Sequence, residues 1–263
     1  MSKRILLEIA YDGTAYCGFQ VQKNGITIEE VINDRLSKML GEDIRVIGAS
    51  RTDSGVHALC NVAVFDTETR IPPEKISFAL NRFLPEDIRV RSSREVEADF
   101  HPRHADAVKT YEYRILNCTF PVPTLRLYTH FVYYPLDVEK MREAAAFLVG
   151  EHDFASFCSS GSAATSTVRR IYSLDVLRED DVISITVSGN GFLYNMVRII
   201  AGTLIEIGLG TYPTEHVGEI LKACDRNAAG PTAPACGLTL KKIEFCPDPS
   251  ARAIFKEDSK VTL

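Results

Sequence analysis

No Cys-x-x-Cys pair occurs among the seven cysteines of this sequence, and their number is odd. That pattern excludes a fully paired disulfide framework and gives no structural zinc spacing. The cysteines are expected to be reduced, mostly buried thiols of a cytosolic protein. A membrane span is missing too: the longest apolar stretch, around Leu193 to Leu209, contains Arg198 and Glu206. The opening Met-Ser-Lys-Arg leads straight into a strand-like run and not the apolar core of a signal peptide, so a cytoplasmic location is expected. There is no basic excess, the formal net charge being -5. Bulk charge therefore points to no nucleic-acid partner. Such a partner would have to be held by local basic patches, with an affinity that falls as salt rises.

What is present is the composition of an ordinary soluble globular protein, with 45% hydrophobic and 25% charged residues. At 263 residues the chain is long enough for one large or two modest domains. Ile5 to Tyr11 reads as a strand ending at an Asp12-Gly13 turn. Thr27 and Glu30 form a capping box before Ile28, Val31, Ile32, Leu36, Met39 and Leu40, which recur at helical spacing until Gly41. Ile44 to Ile47 and Asn61 to Phe65 are further strands. A helix starts at Pro72-Pro73, turns Ile76, Leu80, Phe83 and Leu84 inward, and ends before Pro85. Ile88 to Val96 completes a β-α-β-β-α-β order, the ferredoxin-like arrangement.

The second half repeats that order. Tyr111, Tyr113 and Ile115 lie on a strand, and Asp137 caps a helix running to Gly150. Strands follow at Ile171 to Leu177 and Val182 to Ser188, helices near Leu193 to Leu209 and Thr214 to Cys224, and a last strand at Leu238 to Phe245. No strong residue-level repeat accompanies this, so duplication rests on element order alone. The fold class expected is α+β, with two ferredoxin-like halves over 1–105 and 106–246. Their largely antiparallel sheets would lie side by side with an active-site cleft between them, and residues 247–263 would form a charged tail.

The most informative segment is the loop 48–58, Gly48-Ala49-Ser50-Arg51-Thr52-Asp53-Ser54-Gly55-Val56-His57-Ala58. Small residues let backbone approach a ligand closely, and loops at strand ends often carry catalytic groups. Taken alone, an Arg-Thr-Asp turn is more often an Asx-type turn with a local ion pair.

Other blocks accompany it in order. They are Tyr11-Asp12-Gly13-Thr14 with Gly18-Phe19-Gln20, Phe100-His101-Pro102-Arg103, and Lys109-Thr110-Tyr111. His152-Asp153-Phe154, Thr167-Val168-Arg169, Phe192-Leu193 through Asn195-Met196-Val197-Arg198, and Cys236-Gly237-Leu238-Thr239-Leu240 follow. Together they resemble the tRNA pseudouridine synthase A family, whose loop commonly reads G-A-G-R-T-D-A-G-V-H. Ser50 and Ser54 replace small residues of that pattern, and Phe19 stands where Trp is frequent. The resemblance runs to about Phe245.

The resemblance implies isomerisation of uridine to pseudouridine, on the 3′ side of the anticodon arm of tRNA, by a homodimer. Asp53 would be the catalytic carboxylate, attacking the sugar carbon or stabilising its developing positive charge. Arg198 would keep Asp53 ionised, although an arginine there could equally brace two elements. Tyr111 would pack against the target base, although a core aromatic on a strand is the blander possibility. Arg51 would occupy the space left by the flipped uridine, or simply pair within the loop. His57 and His101 have no partner pattern beyond packing or hydrogen bonding. No cofactor or metal is implied. Two rivals remain: a tandem RNA-binding module, whose consensus aromatic strand K/R-G-F/Y-G/A-F-V-x-F/Y is not found, and a small-molecule isomerase on a duplicated fold.

Overall fold

Five of the nine residues of β1 (Lys3–Tyr11) are buried, as a strand flanked by neighbours on both edges requires. The computed structural model describes residues 2–162 and 164–245, so the expected tail 247–263 lies outside the described residues. After β1 come α1 (Ile28–Leu40), β2 (Ile47–Gly48), β3 (His57–Thr67), α2 (Ile76–Leu80) and β4 (Ile88–Val96). The chain continues through β5 (Ala107–Asn117), β6 (His130–Val132), α3 (Val138–Ala146) and β7 (Gly150–Asp153). It ends with β8 (Val168–Glu179), β9 (Val182–Gly189), α4 (Met196–Gly208), α5 (His216–Ala223) and β10 (Leu238–Phe245).

The result is an α+β fold on one ten-stranded sheet, ordered β4-β1-β3-β10-β5-β9-β8-β7, with β2 on β3 and β6 on β5. Its pairings are antiparallel except β5 with β6 and β3 with β10. The parallel β3–β10 contact spans only His57↔Thr239 and Ala58↔Leu240, at the end of the loop that carries Asp53.

Local signals decide the helix ends. Thr27 Oγ1 accepts the Glu30 N–H at 3.3 Å, and Gly41 closes α1 in the left-handed region. Asp137 likewise accepts the Lys140 N–H at 3.2 Å. α4 is apolar nearly all round and buried everywhere but at Arg198 and Glu206, so those two mark where it meets polar surroundings.

Several expectations need correction. Ile44 to Val46 are not paired as a strand. Their backbone donors are taken by α1 side chains, Ile44 N–H by Ser37 Oγ and Val46 N–H by Asn33 Oδ1, while Ile44 and Val46 stay buried. The helix after Pro72 is a 3-10 turn (Pro73–Lys75) followed by the five-residue α2, so Phe83 falls beyond it and is 55% exposed. α3 stops at Ala146, and Gly150 opens β7 at φ +116°. The six described cysteines are free, but none is fully buried and Cys224 is exposed. Among the described residues no helix is long and apolar enough to cross a membrane.

Candidate active site

The loop between β2 and β3 is held from two directions. From the sheet, Ala49 N–H donates to Val62 O at 2.7 Å. The fully buried Asn61 then grips Ser50, donating from Nδ2 to Ser50 O at 3.0 Å and accepting Ser50 N–H at 3.3 Å. Asn61 also donates to the Tyr11 hydroxyl at 3.1 Å, which pairs with Thr52 Oγ1 at 2.7 Å. From the other side, the segment after β1 supplies Phe19 N–H to Thr52 O at 3.0 Å and accepts Gly55 N–H at Tyr16 O at 3.3 Å. Backbone meets backbone here. A Cβ on Gly13 would lie 2.0 Å from Val56 O, and one on Gly18 2.6 Å from Thr52 O, with Gly18 at φ +83°. Only glycine fits such approaches.

Asp53, 23% exposed, faces Arg198, whose Nη1 lies 3.8 Å from Asp53 Oδ2. Arg198 stands in the first turn of α4, behind Asn195 at φ +61°. Its Nη1 donates to Asn195 Oδ1 at 2.9 Å and its Nε to Ala233 O at 2.7 Å, while Ala233 N–H returns to Arg198 O at 3.1 Å. The guanidinium is thus anchored independently of the carboxylate and meets it in a long ion pair. Burial is the larger influence on Asp53 and holds its pKa above the ordinary carboxylate value; Arg198 pulls it down without cancelling that. The expected cation is in place, and the net direction is upward.

Tyr111 is buried on β5, opposite Leu240 and Val187, with its ring 5.2 Å from Phe192 in an edge-on contact. Burial pushes its hydroxyl up to about 12; the nearby Ser50 side chain lowers it, and the Asp53 charge adds to the rise. The phenol therefore stays protonated at neutral pH. Ser50 Oγ is buried without a well-formed hydrogen bond, so the serine and phenol are neighbours and not a tight pair.

Arg51 is exposed, and the ion pair within the loop does not form among the described residues. His57 is buried and accepts Gly13 N–H at Nδ1, 3.1 Å away, while His101 stacks on His104 at 4.0 Å. His57 Nδ1 also lies 3.1 Å from Asp12 Oδ1, and its Nε2 is buried without a hydrogen-bond partner among the described residues. Among the described residues no cluster of three His, Cys, Asp or Glu could hold a metal ion. A cavity of about 400 Å³ bordered by Tyr11, Asp12, His57, Asp87 and Tyr128 includes none of Asp53, Tyr111 and Arg198.

Sequence reasoning missed Asn61, whose grip on Ser50 has no local signature. It also gave no role to Arg103 and Lys109, although both lie in the motif blocks. Arg103 Nε donates to Gly48 O and Lys109 Nζ to Ala49 O, each at 2.8 Å.

Comparison with known proteins identifies the family. The family model for tRNA pseudouridine synthase matches residues 8–104 and 144–246, which include Asp53 and Arg198 but not Tyr111. The protein called tRNA pseudouridine synthase A of Thermoanaerobacter sp. (strain X514) is 49% identical over 243 residues, 92% of this chain and 100% of that one. Those of Ruminiclostridium cellulolyticum and Brevibacillus brevis are 49% and 47% identical over the same shares. Among solved structures, that of a Cbf5-Nop10-Gar1 complex matches at a TM-score of 0.35 and 16% identity, over 97% of this chain and 57% of that one, too weak to argue from. On the matched residues and the full-length identity to these relatives, the chain belongs to the tRNA pseudouridine synthase family.

Proposed function

We propose that this protein isomerises uridine to pseudouridine in tRNA, at uridines on the 3′ side of the anticodon arm. The base leaves the sugar by cleavage of its N-glycosidic bond, turns, and rejoins through carbon. It loses a proton from that carbon and gains one on nitrogen, so mass is unchanged and neither cofactor nor metal takes part. Asp53 either attacks the sugar carbon or stabilises its positive charge. Arg198 favours the ionised carboxylate, against a burial that disfavours it. Tyr111 lies against the base, which must be flipped out of its stack to arrive there, and Arg51 fills the space vacated. The observation that carries the reading is the meeting of a partly open carboxylate, on a loop braced from two sides, with an anchored guanidinium.

The decisive experiment treats purified tRNA with the protein and looks for mass-neutral conversion of uridine. Absence of pseudouridine after many enzyme equivalents would remove the reading. A non-catalytic RNA-binding module would bind without conversion, and a small-molecule isomerase would do neither.

The sheet order supports a division into two ferredoxin-like halves, 1–105 and 106–246. The first reads β4-β1-β3 with β2 on β3; the second reads β10-β5-β9-β8. Both follow the fourth-first-third-second order of a β-α-β-β-α-β unit, and the catalytic loop lies where they would join. Nicking between β4 and β5 should leave two fragments that stay associated; dispersal into unfolded pieces would count against two self-contained halves. A homodimer in the cytoplasm completes the proposal. The exposed Phe120, Tyr133 and Tyr134 are in keeping with a partner surface.

A further inference from the structure

Arg103 and Lys109 do more than brace a turn. Their donors reach the carbonyls of Gly48 and Ala49, and Arg51 follows on the same loop. Two positive side chains thus converge on one stretch of backbone, with the charge of Arg51 near enough to act on Lys109. Among the described residues none of the three pairs with a carboxylate. Carbonyl dipoles offset only part of that charge. Lys109 is largely covered, and burial, then Arg103 and Arg51, bring its amine down to about 8. Its neighbours across the sheet, Ile243 and Gly189, carry no charge. A cation held in such a place awaits an anion.

Position says which anion. Lys109 and Tyr111 are two residues apart on β5, so they leave the same face about 7 Å apart along the strand. That separation is comparable to the reach from a base to its own backbone phosphate.

We propose that Lys109 and Arg103, with Arg51 beside them, form a phosphodiester-binding site for the RNA strand whose base lies against Tyr111. The site rests on the tRNA reading above and gives it a register. A phosphate oxygen between the two cations supplies the missing counter-charge. Because both cations also hold loop carbonyls, filling the site steadies the loop that carries Asp53.

The test is the salt dependence of tRNA affinity in the full-length protein, with turnover scored in the same preparations. Lys109→Gln and Arg103→Gln each keep an N–H donor and lose the charge. Each should make the slope of log affinity against log salt shallower by about 0.7, and the double variant by about twice that. Lys109→Arg and Arg103→Lys should keep the wild-type slope. So should Lys38→Gln, whose charge pairs with Asp34 on α1. If Lys109→Gln fails to fold, Arg103→Gln at an exposed position gives the same readout. An unchanged slope in folded Gln variants overturns the site even where turnover falls, because bracing alone gives that result. Wild-type protein that converts uridine while the slopes stay fixed rejects only the phosphate site. Wild-type protein that neither binds nor converts tRNA rejects both readings.

Discussion

Replacing Arg198 by alanine should move the acid limb of the pH–rate profile upward. Two unit charges 3.8 Å apart interact by about 4 kcal/mol at an effective dielectric near 20, an upper bound of about three pKa units. The real effect is smaller, since the guanidinium charge is delocalised and both side chains keep some contact with water, being 17% and 23% exposed. A shift of about one to two units is expected. The sign follows from the site: turnover needs ionised Asp53, burial already raises its pKa, and loss of the cation raises it further. The rate should therefore fall about tenfold or more on the acid side and much less on the neutral plateau. Arg198→Lys should keep much of the charge effect but lose the planar contacts to Asn195 and Ala233. The assay is single-turnover conversion of a tRNA transcript across the pH range, with circular dichroism confirming fold at each point. An unmoved acid limb in a folded, weakly active Arg198→Ala protein would refute the charge-tuning role and leave Arg198 as a brace.

Asp53→Asn should abolish turnover and leave tRNA affinity nearly intact, and repeated product formation would dismiss Asp53 as the catalytic group. It should also stabilise the fold at neutral pH. A carboxyl whose folded pKa is raised favours folding below its unfolded pKa and loses that contribution as pH rises through the folded value, so the gain should vanish in acid. Asn61→Ala strands both backbone groups of Ser50, at about 1–3 kcal/mol each. With roughly 2–4 °C per kcal/mol for a chain of this size, a fall in Tm of about 4–24 °C is expected, and a fall within scan error would mean Ser50 finds other partners. Gly18→Ala should lower kcat more than it lowers Tm, because the new methyl pushes on Thr52 O next to Asp53; equal losses would argue for a purely structural glycine. Sedimentation should find a dimer at assay concentrations, and a fully active monomer would exclude it.

Features set by neighbouring residues were legible in the sequence. Thr27, Gly41 and Asp137 end helices through contacts within a few positions, and β4 and β10 match their expected bounds. Features set across the chain were not. β3 starts four residues before Asn61 because His57 and Ala58 find a parallel partner in β10, which no local pattern announces. Phe83 was assigned inward by a helical period that stops at Leu80. Within the site, Asp53 and Arg198 were named through family resemblance, and the fold places them 3.8 Å apart. Asn61, Arg103 and Lys109 act through contacts to the catalytic loop that only the folded chain makes.

The short parallel seam between β3 and β10 has a consequence for the protein's birth. On the ribosome, the loop bearing Asp53 emerges long before its partners. Roughly 180 residues separate Thr67 from the end of β10, about 10–35 s of synthesis at ~5–20 residues per second. During that interval β2 covers only Ala63 and Val64 on its edge of β3, leaving His57 to Asn61 bare, and for most of it Arg198 has not yet been made. A nascent chain therefore holds the carboxylate without its cation, beside an open strand edge apt to pair wrongly. Activity is withheld until the last strand docks, and any chaperone assistance is most needed just before it does.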